Sequence, residues 1–167
     1  NKKTFDYVRL NAEKRVFEPG ENILLNIINK INKQGVYYFK KIDIVSDPKF
    51  VAGGPYLNMR IVKAKDAEDC LLQRQSPAAS ELYYGNDLST FAQVTNIAEQ
   101  QKKYIWYSTE LVKWKMLDGK MSEGILYKPD NFDKKKKYPV IFYFYERDAD
   151  NLYRYINPAP SASTINP

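Results

Sequence analysis

Residues 110–127 read Glu110-Leu-Val-Lys-Trp-Lys-Met-Leu-Asp-Gly-Lys-Met-Ser-Glu-Gly-Ile-Leu-Tyr127. Asp118-Gly119 stands between two runs rich in apolar residues. A tight hairpin turn requires positive φ, which glycine adopts freely and aspartate tolerates. The stretch therefore predicts a strand over 110–116, a turn, and a return strand over 123–127. A polar loop follows at 129–137. Then comes Val140-Ile141-Phe142-Tyr143-Phe144-Tyr145, apolar or aromatic at every position. Such a run is expected of a strand buried on both faces, as in a mostly parallel sheet. A strand of that kind needs packing partners on both sides. Residues 146–167 supply no amphipathic helix, and 157–167 read as loop, so this part of the fold reads as unfinished.

Upstream the pattern is different. Residues 23–31 form an apolar run rich in β-branched side chains, between the turns Pro19-Gly20-Glu21-Asn22 and Asn32-Lys33-Gln34-Gly35. Residues 5–10 alternate loosely, and 36–44 return as the partner of 23–31 in a hairpin. A helix over 23–31 competes, but the flanking turn residues favour a strand. Residues 51–55 (Val-Ala-Gly-Gly-Pro) break the chain. Residues 56–63 alternate, with Leu57, Met59 and Ile61 on one side; 66–69 turn, and 70–75 pair back. A loop over 76–80 leads to a strand at 81–84, a turn at 85–87 and a closing strand at 91–95. Short strands with turns every 8 to 12 residues or so predict a mainly β fold: a sandwich, a barrel or propeller blades. Residues 98–103 are polar, and the domain boundary is placed near 97–108.

Composition sets the exclusions. The 167 residues include no His and a single Cys, Cys70. No Ser-His-Asp or Cys-His centre can form within this chain, nor a zinc site that needs imidazole. One cysteine excludes an internal disulfide and any Cys-x-x-Cys motif. No cofactor or metal is implied. Fourteen Tyr favour strands over helical bundles. The net charge of +6 is largely local, with Lys134, Lys135, Lys136 and Lys137 consecutive and pairs at Lys40-Lys41 and Lys102-Lys103. No apolar run approaches the roughly 20 residues that span a bilayer. No secretory signal is read at Asn1, although a mature or excised product would look the same.

Two segments together carry a resemblance. Residues 110–129 with Trp114-Lys-x-x-Asp118-Gly119, and Lys136-Lys-Tyr-Pro-Val-Ile-Phe-Tyr-Phe-Tyr145, resemble the start of the catalytic domain in the prolyl oligopeptidase family of serine peptidases. The dipeptidyl peptidase IV-like branch is the nearest in pattern. In that family a β-propeller precedes an α/β-hydrolase domain. The resemblance implies that residues 1–105 are the C-terminal blades of a partial propeller. Residues 106–167 are then the N-terminal part of the hydrolase domain. It implies a parent enzyme that hydrolyses short peptides, after Pro or Ala, through a Ser-Asp-His triad lying beyond these residues, with a periplasmic or secreted location. The chain alone is expected to be inactive. Gly119-Lys-Met-Ser-Glu-Gly124 is the nearest approach to a Gly-x-Ser-x-Gly elbow, but its first glycine is one residue too far and no helix follows, so Ser122 is read as a hairpin residue.

One catalytic position is implied. Relatives place a Tyr at the end of the strand after Tyr-Pro-Val, where its hydroxyl binds the oxyanion, and Tyr145 occupies that place. Many relatives continue with Gly-Gly, whereas this chain continues Glu146-Arg147-Asp148. Tyr143 would face the same side of the strand and is the rival. Glu146, Arg147, Asp148 and Asp150 are either substrate-facing or a surface charge group. The Lys134–Lys137 run reads as a solvated loop, Trp106 and Trp114 as packing residues, and Asp66, Glu68 and Asp69 as a turn rather than a cation site.

The competing class is a self-contained β-rich module that binds a protein or glycan. It predicts a compact monomer in which residues 140–145 are covered by the domain's own strands. A peptidase fragment predicts an uncovered apolar strand, exposed sheet edges and self-association or strand swapping. Nucleic-acid binding needs a clustered basic face, and the mixed signs make it the least favoured.

Overall fold

The computed structural model describes residues 9–11, 13–18, 22–41, 47–64, 66–87, 90–144 and 148–160. The strand segments expected over 5–8 and 42–44, the turn positions 19–21 and the tail from 161 lie outside these residues. The architecture is mainly β. Among the described residues the strands form four antiparallel sheets. The first pairs β1 (Arg9–Asn11) with β2 (Val16–Glu18).

The second sheet has the order β3-β4-β5: Asn22–Ile28, Gly35–Lys41 and Lys49–Gly54. The strand reading of the first apolar run holds, against the helix. Its loop is longer than the four residues expected, because pairing ends at Ile28↔Gly35. Asn29 ends the strand. Its backbone N–H donates to the Gln34 carbonyl at 2.9 Å, and its side-chain oxygen accepts from the Ile31 amide at 2.9 Å. Such local bonding competes with the ladder. The break expected over 51–55 is mostly strand. Val51 and Ala52 are buried against the core, so the chain turns only at Gly54, where φ is 150°, and at the following Pro55-Tyr56 bend.

The third sheet is a meander, β6 (Leu57–Lys63), β7 (Cys70–Gln75), β8 (Ser80–Gly85) and β9 (Ala92–Gln93). Period-two burial decides its faces. Ile61, Cys70, Leu72 and Tyr83 point inward and meet Tyr37, Val51 and Ala52 of the second sheet, with Leu24 and Phe91 at the margin. Val62, Leu71, Leu82 and Tyr84 face outward. Two antiparallel sheets thus share one apolar seam.

The polar stretch after β9 contains a short helix, α1 (Ile97–Gln101). Glu81, buried on β8, accepts from the Ala98 amide at 2.9 Å and from the Thr95 hydroxyl. This satisfies a helix-end donor that nothing in the helix can satisfy. Next comes the Asp-Gly hairpin: β10 (Tyr107–Lys115) and β11 (Met121–Pro129), in register from Tyr107↔Pro129 to Lys115↔Met121. Gly119 supplies the turn with φ 84°, and the Asp118 side chain accepts from the Lys120 amide at 3.0 Å.

The strand expected over 140–145 is not formed over the described residues 140–144. They pair with no sheet, and Ile141, Phe142 and Phe144 are 82%, 83% and 88% exposed. A two-faced apolar strand forms only where neighbouring strands take its backbone groups and layers cover its faces. Among the described residues no strand lies beside this one. The chain then makes a 3-10 turn, Ala149–Asn151, with Ala149 and Leu152 buried. No helix among the described residues is long and apolar enough to cross a membrane.

Candidate functional site

Tyr145, the expected oxyanion donor, lies outside the described residues, as do Glu146 and Arg147. The described residues before and after this stretch are held by specific contacts. On the near side, the Phe132 and Tyr138 rings stack at 5.0 Å, and the Tyr138 hydroxyl accepts from the Asp133 amide at 3.0 Å. On the far side, the chain returns to the hairpin. The Thr109 hydroxyl donates to the Leu152 carbonyl at 2.8 Å, and the Ile156 amide donates to the Tyr107 hydroxyl at 3.3 Å. The Tyr155 ring stacks on Trp106 at 6.0 Å, and its hydroxyl accepts from the Gln101 amide nitrogen at 2.8 Å. Burial pushes the Tyr107 phenol up, with the Ile156 amide working against it.

Lys33 ties these residues to the first half of the chain. It sits in the β3–β4 turn with φ 62°, a conformation that costs a side-chain-bearing residue about 1 kcal/mol. Its ammonium donates to Asp150 Oδ1 at 3.0 Å and to Glu123 Oε1 on β11. The Lys33 side chain is 3% exposed, Glu123 26% and Asp150 59%. Withdrawal from water would lower the Lys33 pKa, but the two carboxylates outweigh it, and the net direction is upward. The sequence marks this position only as a turn. Its partners lie 90 and 117 residues away, so no local pattern could announce them.

The expected charge group at 146–150 is divided. Asp150 belongs to Lys33, whereas Asp148 accepts locally from the Asn151 side chain at 3.3 Å. Tyr143, the rival to Tyr145, is half-exposed. Ser122 lies on β11 opposite Trp114, in a hairpin with no helix after it. Cys70 is buried, its thiol near the Gly85 and Asp87 carbonyls at 3.4 and 3.3 Å. Burial first, then Asp87 and Asp69, push its pKa up, the opposite of what a nucleophile needs.

The remaining candidates hold structural positions. Asp133 organises the lysine run as a turn, accepting from the Lys135 amide at 2.9 Å and the Lys136 amide at 3.0 Å. Glu68 pairs with Lys63 at 3.9 Å, while Asp69 accepts from the Tyr84 hydroxyl, so these acids serve separate partners. Trp106 donates its indole N–H to the Pro77 carbonyl at 2.7 Å, linking the β7–β8 loop to the hairpin. Trp114 is 47% exposed, its indole edge closing over Gly124. Neither a family model nor a curated protein matches this chain.

Proposed function

We propose that these residues are part of a serine peptidase of the prolyl oligopeptidase type, dipeptidyl peptidase IV-like in pattern. Residues 1–105 then contribute C-terminal propeller blades and 106–167 the opening of the α/β-hydrolase domain. The single observation that carries the reading is the exposed run at 140–144. Each large apolar side chain gains about 1.5 to 3 kcal/mol on burial, so Ile141, Phe142 and Phe144, the most exposed of the run, forgo about 5 to 9 kcal/mol between them. A self-contained binding module would cover such a run with its own strands. A hydrolase sheet completed elsewhere in a longer protein would cover it with parallel neighbours. Two successive antiparallel meanders sharing one apolar seam also suit adjacent blades.

In that protein the nucleophile, base and orienting acid come from outside these residues, and the substrate is a short peptide cleaved after Pro or Ala. The Tyr145 hydroxyl donates to the oxyanion of the tetrahedral intermediate. The test is hydrolysis of Pro- and Ala-containing dipeptide chromogenic substrates by the full-length protein. Tyr145→Phe should lower kcat by about 10²- to 10³-fold with little change in KM. Absence of hydrolysis would overturn the peptidase reading. Full kcat in Tyr145→Phe, with loss in Tyr143→Phe, would move the donor to the rival tyrosine.

A further inference from the structure

Arg74 lies on the inner face of β7, in alternation with Cys70 and Leu72, so its stem runs into the seam between the two sheets. Its guanidinium carbon stands 4.9 Å from the Tyr83 ring centroid, 5.1 Å from Tyr56 and 6.0 Å from Phe91. These rings come from β8, from the β5–β6 bend and from the residue that precedes β9, so three separate stretches of the chain build the cage. Tyr37, on β4 of the other sheet, is buried in the same apolar seam. Arg74 Nε is sealed from solvent and has no hydrogen-bond partner. Among the described residues every ion pair is made by a lysine, and none involves Arg74.

A desolvated guanidinium normally has a carboxylate beside it. Here burial pushes the Arg74 pKa down, and the groups opposing this are three phenols, Tyr83, Tyr56 and Tyr37, rather than acids. Aromatic rings stabilise the cation but offer no lone-pair acceptor to its N–H groups. Those donors lie in the guanidinium plane, in the fork that matches a planar carboxylate.

We infer that Arg74 is a binding site for a carboxylate, brought by a small acid or by the C-terminus of a short peptide. The inference does not depend on the peptidase reading. It is tested on the full chain labelled with 15N at arginine, using Arg74→Lys to assign the Arg74 Nε–Hε resonance. Acetate should shift that resonance saturably, while chloride and inorganic phosphate at equal ionic strength leave it in place. Acetyl-Ala-Ala as the free acid should shift it, and the same peptide as its C-terminal amide should not. A response to acetate alone assigns the site to small acids; a response to both acids assigns it to peptide C-termini. A resonance unmoved by either acid, an equal shift from the amide, or an equal shift from phosphate would overturn the carboxylate assignment.

Discussion

Lys33→Met removes an ammonium from a place where its methylene stem is packed, and the size of the effect can be worked from the geometry. Methionine retains an unbranched stem and the same strained φ of 62°, so neither packing nor backbone relief enters the difference. Both partners reach water, Glu123 at 26% and Asp150 at 59%, so neither is left as a buried orphan charge. The Glu123 pair, more withdrawn from solvent, is worth about 1 to 2 kcal/mol, and the Asp150 pair about 0.5 kcal/mol. A total of about 2 kcal/mol should lower Tm by about 4 to 8 °C for a chain of this size. Circular dichroism melts measure this directly, and a cycle with Glu123→Gln should return the larger coupling. The pH dependence has a definite sign. The Lys33 pKa is raised above its unfolded value of 10.5, so its contribution is complete below pH 10.5 and fades as pH rises through the folded value. The gap between wild type and Lys33→Met should therefore stay constant from pH 7 to pH 10 and close above it. The contrary result is a methionine variant that melts at or above wild type. It would mean that burying the ammonium costs more than its two carboxylates return.

Three further outcomes follow from the packing. Gly85→Ala would put a Cβ 2.7 Å from the Thr90 carbonyl oxygen and 2.8 Å from that of Asp87, both backbone atoms. It should destabilise by about 2 to 3 kcal/mol, read as a lower urea midpoint at unchanged m-value. Trp106→Phe keeps the ring stacking but deletes the 2.7 Å bond to the Pro77 carbonyl; a loss of about 1 kcal/mol in the same assay is expected, and no loss would show that the bond does not hold the hairpin. Sedimentation of the chain alone should show concentration-dependent association through residues 140–144, abolished by the double change Ile141→Lys and Phe144→Lys; unchanged association in the variant would place the sticky surface elsewhere.

Much of the β framework was legible because its signals are local. The strand Cys70–Gln75 coincides with the reading from sequence, and the Asp118-Gly119 turn lies where its chemistry put it. Strand ends were less legible. β10 and β11 extend to Tyr107 and Pro129 because cross-strand pairing carries them past the positions where alternation stops. In the sequence the helix Ile97–Gln101 shows only as a polar stretch over 98–103, since its supporting acceptor, Glu81, lies on another element. The apolar run misled for a different reason. Its composition specifies a buried strand, yet composition cannot provide the neighbours that make burial possible. At the candidate site, the ion pairs of Lys33 and the aromatic enclosure of Arg74 depend on residues remote in sequence, which no spacing rule links.

The exposed run at residues 140–144 is open to proteolysis. Val140, Ile141, Phe142, Tyr143 and Phe144 are exposed, and they present aromatic cleavage sites in a stretch without ladder hydrogen bonds. The residues after it are held by Thr109, Tyr107, Trp106 and Lys33 rather than by the peptide bonds within the run. A chymotryptic nick there should yield two pieces on a denaturing gel that still migrate together under native conditions. Cutting the chain and releasing its C-terminal segment would be separate events.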